Sequence, residues 1–371
     1  MDNVDAQIAD KVQQLSDLEL ATLLCLVAEQ HCIIQADEDS LDGLEQELRL
    51  IACDVFGLSS AVLHCSERTC LDDFSAAILT HADGDRHESS TAKHATGEHS
   101  DTLPKTKFPS FEPVRTSDPT DALGNRRIPN IVILRDLDSA NHHVQIQTLE
   151  LIRAKRIFTR TEVQAAPKRF LVIALLSKQS EKRLNSHLND QFFISHYHAP
   201  QDGLPNSEEH EVDLDDASSA SSVLHTSFLD VLPESRTDPH PLFPQESITT
   251  LQLLTSRTLI SAPVLAYLHN ITIYLRLHRF VSAPTITATA TRHFRLLTRA
   301  LAPLHALSYV PPSLVALAAR KVYMHRILLV RPEEERSMQW GSDIEAVREA
   351  MVGVSVEGVV EEVLGAVEAP L

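Results

Sequence analysis

The chain has 371 residues, of which 43% are hydrophobic, so it can bury a sizeable core divided among two or three domains. It carries 51 acidic and 33 basic side chains, and the net charge of −18 argues against non-specific nucleic-acid binding by the whole chain. The acidic start lacks the apolar stretch of a secretory signal, and no apolar run reaches the length of a membrane span. We therefore expect a cytoplasmic protein with no membrane or nucleic-acid partner.

All five cysteines lie within the first 70 residues, mostly inside apolar runs. This placement indicates buried thiols in a reducing compartment. Their spacing from neighbouring histidines does not match that of zinc sites, so we expect no metal.

The first half of the chain alternates short apolar runs with segments of helical periodicity. Helices are predicted at 17–30, 41–56, 72–79 and around 144–152. Strands are predicted at 31–35, 60–65, 130–134, 169–176 and 192–197. Five apolar strands alternating with helices indicate a parallel α/β sheet, with a core formed by 1–81 and 128–199.

Two segments rich in polar residues and poor in large apolar ones interrupt this pattern. Residues 82–127 and the acidic stretch 200–246 are predicted to be disordered insertions. From Ser247 onward the periodicity is helical, and we divide this part into a helical domain at 247–331 and a tail at 332–371. The tail ends in an amphipathic helix with one apolar face.

Charge is distributed unevenly along the sequence. Residues 247–332 contain ten basic residues and no acidic ones, so their formal charge of +10 leaves −28 for the rest of the chain. The simplest interpretation is that this basic segment packs on the acidic core of the same chain or of a neighbouring copy. The alternative is an anionic partner, such as an acidic protein segment or a nucleic acid.

The helical segment also carries a family resemblance. Residues 260–279 read ISAPVLAYLHNITIYLRLHR, and residues 299–327 read RALAPLHALSYVPPSLVALAARKVYMHRI. Both resemble the lid of AAA+ ATPases of the MoxR and magnesium-chelatase type, among them the magnesium-chelatase-like proteins of fungi. The resemblance implies an AAA+ core of five parallel strands followed by an all-α lid, and a nucleotide site at the ends of the strands.

The phosphate-binding loop of that family should follow the first strand. Such a loop needs glycines whose amides surround phosphate, and a lysine for its charge. Here the sequence reads ADEDSLDG, with four carboxylates and no lysine. These degenerate positions are Asp37, Glu38, Asp39 and Asp42.

The third strand should end in a metal-binding Asp followed by a catalytic Glu. In NIVILRDLDSANHHVQ, Arg135 and Asp136 take those two positions. A register shifted by one residue makes Asp136 the metal ligand, but it then puts Leu137 in place of the Glu.

Three further positions resemble family motifs without their functional groups. Ser177 corresponds to the polar sensor after the fourth strand, Gln191 to the arginine finger, and Thr289 to the second sensor. Gln191 lacks the charge of an arginine finger. Arg292, one helical turn after Thr289, is a displaced substitute.

The resemblance and its lost motifs predict a pseudo-ATPase that needs no cofactor and acts as an adaptor or regulatory subunit. An active ATP-dependent subunit and a pure interaction module using the basic lid and the tail helix are the alternatives. We expect protein partners, and the sequence leaves a homo-oligomer open. Because a lid covers the nucleotide site, the four acids are also predicted to bind lid arginines, Arg292 or Arg295, in an internal ion-pair clamp.

Overall fold

The computed structural model describes residues 11–81, 126–158, 163–208 and 241–370. Its centre is a five-stranded parallel sheet, in the order β2-β3-β4-β1-β5. The strands are β1 (His31–Ala36), β2 (Ser60–His64), β3 (Ile131–Arg135), β4 (Leu171–Ser177) and β5 (Phe192–Tyr197). The sheet prediction is confirmed. Two short antiparallel ribbons, which the sequence did not indicate, pair 80–81 with 126–127 and 156–158 with 163–165.

The middle strands are apolar along their whole length because both faces of the sheet are covered. Residues 171–176 of β4 and 131–134 of β3 are buried throughout, on both faces. A strand covered on two sides loses the apolar–polar alternation of a half-exposed strand, which is why these strands appear as continuous apolar runs in the sequence.

Helices cover the two faces unequally. On one face α1 (Asp17–Ala28) and α2 (Leu41–Leu50) share a core with the C-terminal helices. On the other face α3 (Leu71–Ile78), α4 (His142–Ala154) and α5 (Ser186–Asn189) form a second, smaller core. The connection after β1 therefore leaves on one face and the connections after β2, β3 and β4 leave on the other. Adjacent strands whose connections diverge in this way open a crevice at their carboxyl ends.

The lid has four helices and packs beside β5 and α1. They are α6 (Gln245–Arg257), α7 (Ala262–Leu277), α8 (Ala288–Leu304) and α9 (Pro312–Tyr323). The centre of the lid is formed by Leu268, Phe294, Leu297, Val315 and Tyr323, all buried. Because these side chains belong to the same cluster as α1 and β1, the lid and the sheet share one continuous core. This α/β core followed by an all-α lid is the predicted fold.

The tail folds back on the lid. It contains α10 (Ile344–Met351) and α11 (Val356–Ala366), and α11 packs against α7 and α9. Val359, Val360 and Val363 are almost completely buried there. The apolar face predicted from the sequence is thus covered by the chain's own lid, and it is not available as a free docking surface for another protein.

The ends of the second predicted insertion are tied to the core. The buried carboxylate of Glu47 accepts the amides of Asn206 and Ser207, at 3.1 and 2.8 Å. Phe243 is buried and its amide donates to the carbonyl of Val55 at 2.8 Å. Residues 200–208 and 241–246 are therefore parts of the folded chain, because their backbone groups are paired with it. The other residues predicted to be disordered, 82–125 and 209–240, lie outside the described residues. Among the residues described, no helix is both long and apolar enough to cross a membrane.

Candidate functional site

A cavity of about 560 Å³ lies at the carboxyl edge of the sheet, where the crevice between β1 and β4 is expected. Its walls come from the segments that follow β1, β2, β3 and β4. The lining residues are Glu38, Cys65, Ser66, Glu67, Arg68, Asp136, Ser139, Ser177, Gln179, Ser180 and Lys182. In an open α/β fold this is the place where a ligand binds.

The connection from β1 to α2 is too tight to surround a phosphate. Asp37 is extended, and a single 3-10 turn, Glu38–Ser40, leads directly into α2. The Glu38 amide donates to Gln179 Oε1 at 3.0 Å, and the Ser40 amide donates to the Asp37 carbonyl at 3.0 Å. An anion-binding loop instead leaves successive amides free to face its ligand. The chain's own oxygens thus occupy amides that a phosphate would need.

Asp37 is held by neutral side chains of the core. Tyr197 donates its hydroxyl to Asp37 Oδ1 at 3.3 Å, and the Gln179 amide group lies 3.5 Å from the same oxygen. Lys178 covers the Tyr197 ring, with its Nζ 3.8 Å from the ring centre. These contacts fix a carboxylate beside Gln179, which lines the cavity, and a negative charge there opposes the approach of an anion.

Arg135, at the end of β3, has its side chain directed toward α2. Its guanidinium contacts the Asp42 carboxylate and lies 3.6 Å from both Glu45 Oε2 and Asp136 Oδ2. Hydrogen bonding to Arg135 holds the pKa of Asp42 below its ordinary value, and the same bond raises the pKa of Arg135. His64 adds a contact of 2.7 Å to Glu45. If Arg135 is aligned with the metal-binding Asp of the family, the position of that Asp holds a cation, which is already paired with Asp42.

Asp136, the residue immediately after β3, has a carboxylate that lines the cavity. Its backbone is left-handed, with φ of 53°, a conformation that costs energy for a residue with a side chain. Desolvation raises its pKa, and Arg135 acts in the opposite direction. The next residue, Leu137, is completely buried, so the shifted register offers no carboxylate to activate water. Neither register places a metal-binding Asp next to a catalytic Glu.

The other carboxylate in this turn is engaged within the chain. Asp138 is buried, and one of its oxygens accepts the Ser180 hydroxyl. Burial, followed by the charges of Asp136 and Asp138, raises the pKa of the nearby Cys65 thiol to about 12. The thiol is therefore protonated at neutral pH and has no nucleophilic character.

The remaining predicted site positions, Ser177, Gln191 and Thr289, separate into two groups. Ser177 lies at the cavity, where its hydroxyl and Gln179 bond to each other. Gln191 precedes β5 and therefore lies at the opposite, amino edge of the sheet, since Phe192 is in register with His31. Thr289 lies on α8, where its hydroxyl accepts a bond from Arg292 at 3.2 Å. The structure thus brings Asp37, Glu38, Asp136 and Ser177 together, and leaves Gln191 and Thr289 elsewhere.

The predicted clamp between the four acids and the lid arginines is absent from the described residues. Arg292 and Arg295 are exposed, and neither forms an ion pair with a described carboxylate. The reason is position: the Thr287 hydroxyl at the start of α8 donates to Asp190 at 2.6 Å, which anchors this end of the helix at the amino edge of the sheet. Asp37 lies roughly 20 Å farther along the strand direction, at about 3.3 Å per residue.

A buried network joins lid and core instead, and its centre is Arg326. This side chain is 1% exposed and bonds to the carbonyls of Phe192 and Phe193 and to His293 Nδ1. Its Nε lies 3.6 Å from Asp190 Oδ1. Burial lowers the pKa of Arg326 to about 10, with Asp190 acting against the shift, so the guanidinium stays charged at neutral pH.

Two buried histidines are also kept neutral, His293 within this network and His31 at the amino end of β1. Burial, followed by the charge of Arg326, lowers the pKa of His293 to about 3. Burial and Lys155 lower the pKa of His31 to about 3, and its Nδ1 accepts the amide of Val172 at 2.9 Å. Arg326 has no predicted role, although it lies in the HRI phrase (325–327) of the segment that resembles the family lid. The sequence feature that could have indicated a buried role for Arg326 is a basic residue at the end of an apolar helix.

Comparison with known proteins supports the fold alone. No family model matches the sequence, and no curated protein matches it. Among solved structures, the chain is similar to a Cytophaga hutchinsonii protein described as a "putative ATPase", with a TM-score of 0.61 and 13% identity. The match covers 100% of this chain and 96% of that one. The chain therefore shares the overall fold of that protein.

Proposed function

We propose that this chain is a pseudo-ATPase of the MoxR and magnesium-chelatase type, which retains the AAA+ scaffold and acts as an adaptor or regulatory subunit without hydrolysing ATP. The observation that carries the proposal is the connection from β1 to α2. Its amides are bonded internally, its side chains are acidic, and Arg135 is paired with Asp42. These carboxylates would repel a triphosphate, whereas the AAA+ family that the chain resembles supplies a lysine and free amides at this position.

The lid–core junction supports the adaptor part of the proposal. In a motor, nucleotide contacts couple lid movement to hydrolysis. Here the chain's own side chains join the two parts, through the buried Arg326 network and the shared apolar core. A lid held in this way presents a constant surface to a partner, which suits a scaffold better than a motor.

Nucleotide binding is the decisive measurement. We expect no shift in the melting temperature of the purified full chain when Mg·ATP, Mg·ADP or ATP with EDTA is added. A nucleotide at 100 times its dissociation constant would add roughly 2.7 kcal/mol to the free energy of unfolding. A chain of this size would then melt a few degrees higher or more. A reproducible shift of that kind would overturn the proposal.

Hydrolysis is the second measurement, and it has an internal control. We expect phosphate release equal to that of a blank carried through the same purification. An Asp136→Asn variant distinguishes hydrolysis by this protein from hydrolysis by a contaminant, because Asp136, which directly follows β3, lines the cavity. Turnover that is lost in this variant, while its melting temperature is unchanged, would show a working site.

A further inference from the structure

We propose that the exposed face of α8 and the adjoining end of α6 form a docking surface for an acidic protein segment that carries an apolar anchor residue. Arg292, Arg295 and Arg299 lie three and four residues apart, so they form a row on one face of α8. An Arg299 guanidinium nitrogen donates to the Ser256 carbonyl, next to Arg257 at the end of α6. We call these four side chains the arginine row.

The arginine row has no acidic partner within the described residues. Two other lid arginines differ from the row: Arg279 pairs with Glu335 at 2.8 Å, and Arg320 pairs with Glu361 at 2.6 Å. Arg299 Nε, moreover, is buried without a hydrogen-bond partner among the described residues. The tail thus neutralises one side of the lid, whereas the described residues supply no acidic partner to the face of α8.

An apolar pocket lies at the end of the row. Pro303, four residues after Arg299 on the same face of α8, is one of its walls, and the cavity measures about 120 Å³. The other walls are Leu254, Arg257, Thr258, Ala306, Leu307 and Ser308. A cavity of roughly 150 Å³ holds a benzene molecule, so this pocket can take a side chain the size of leucine.

Large apolar side chains remain exposed beside the pocket. Leu259 is 71% exposed and Tyr309 is 58% exposed, and the two residues form a short parallel bridge. Leu253, next to the pocket residue Leu254, is 47% exposed. Single exposed apolar residues are ordinary, but three of them around a pocket indicate a contact surface.

Charge complementarity decides the chemistry of the occupant. The row and pocket extend from residue 292 to residue 303, about 16 Å at 1.5 Å per residue. A peptide of that span with several carboxylates and one large apolar residue would pair its charges with the row and bury the anchor. Among the described residues that line the pocket or adjoin its lining in sequence, Tyr309 is the only Phe, Tyr or Trp, so the series of stacking platforms typical of single-stranded nucleic-acid sites is missing from this part of the chain.

The inference deepens the proposed adaptor role by giving the class of partner. Its test involves no nucleotide, so its failure would be distinguishable from a failure of the pseudo-ATPase proposal. The probe is a phage-displayed library of random peptides of about 16 residues, selected on the immobilised full chain. We expect enrichment of Asp and Glu around Leu or Phe, and binding that weakens as salt rises.

Two variants test the two halves of the surface on the selected peptides. Arg292→Glu/Arg295→Glu should weaken binding about 30-fold or more, and Ser308→Trp, which blocks the pocket, should weaken it about 10-fold, where each tenfold is 1.4 kcal/mol. Arg153→Glu/Arg183→Glu is the matched control, since it reverses two exposed arginines of the core and should change affinity less than about twofold. All of these positions are exposed, so unchanged circular dichroism and melting are expected.

Three outcomes would overturn the inference. The first is selection that yields no acidic consensus, or peptides whose affinity survives both surface variants. The second is arginine-dependent binding of a single-stranded DNA of about 20 nucleotides in place of acidic peptides. The third is a wild-type oligomer, measured by light scattering, that the Arg292→Glu/Arg295→Glu change dissociates, because the surface would then be an interface between copies.

Discussion

The carboxyl edge of the sheet and the lid–core junction use polar side chains in opposite ways. At the edge, Asp42 is 85% exposed and its ion pair with Arg135 is open to solvent. At the junction, Arg326 is 1% exposed and is surrounded by carbonyls, Asp190 and His293. An exposed pair contributes little to stability, whereas a buried charge is costly to leave without partners. We therefore expect substitutions at the carboxyl edge to change the stability of the protein little, and substitutions at the lid–core junction to change it strongly.

The strongest test of this comparison is removal of the buried cation. Arg326→Met should lower the free energy of unfolding by about 3 kcal/mol, because it leaves Asp190 and two carbonyls without their partner. Arg320→Met, which breaks an exposed pair with Glu361, should cost less than about 1 kcal/mol. Urea denaturation followed by circular dichroism measures both, since the single tryptophan, Trp340, is 88% exposed and reports poorly on the core. Similar losses in the two variants would contradict the comparison.

Acid should weaken the junction before it affects the edge. His31 and His293 have folded pKa values of about 3, below the ordinary value of 6.5. The unfolded chain binds more protons between these values, so the stability they confer is complete above pH 6.5 and is lost as pH falls toward 3. We expect a loss on the order of 2 kcal/mol between about pH 7 and about pH 5.5, at 1.4 kcal/mol per unit and group.

A histidine substitution separates this effect from general acid sensitivity. In His31→Gln, the side-chain oxygen can accept the Val172 amide but does not titrate in this range, so the stability should change less steeply with pH than in the wild type. An identical pH dependence in the two proteins would exclude His31 as a source of the effect.

Breaking the exposed pair at the edge should have a much smaller effect. Asp42→Asn and Arg135→Gln, alone and together, should each shift the melting temperature less than Arg326→Met does, and any coupling between them should fade in high salt. A large, salt-resistant coupling between these two positions would show that the edge contributes to stability as the junction does.

The smallest expected effect is the coupling between the acids at the carboxyl edge and the arginines of the lid. Changing Asp37, Glu38 and Asp39 to Lys, and Arg292 and Arg295 to Glu, should give additive effects on the free energy of unfolding, within about 0.5 kcal/mol. The two groups lie at opposite edges of the sheet, beyond the screening length of about 8 Å. A coupling well above that limit in a double-mutant cycle would restore the internal clamp.

The strands of the central sheet and the helices could be predicted from local patterns in the sequence. Continuous apolar runs such as 171–176 identified strands that are buried on both faces, and the position of ADEDSLDG after β1 identified acids where a phosphate loop was expected. Both signals are local, because they depend on side chains that are neighbours along the chain. The resemblance in 260–327 was likewise a local pattern, and it led to the correct fold.

Only the tertiary structure decided which charges meet. Arg135 pairs with Asp42 across 93 residues of sequence, and Arg326 reaches Phe192 across 134. A basic segment in an acidic chain has many candidate partners, and composition does not choose among them, because Coulomb attraction depends on distance and burial. For the same reason the apolar face of α11 looked free in the sequence, although Val359, Val360 and Val363 are covered by the lid. Periodicity shows that a helix has an apolar face, but only the packed chain shows what covers it.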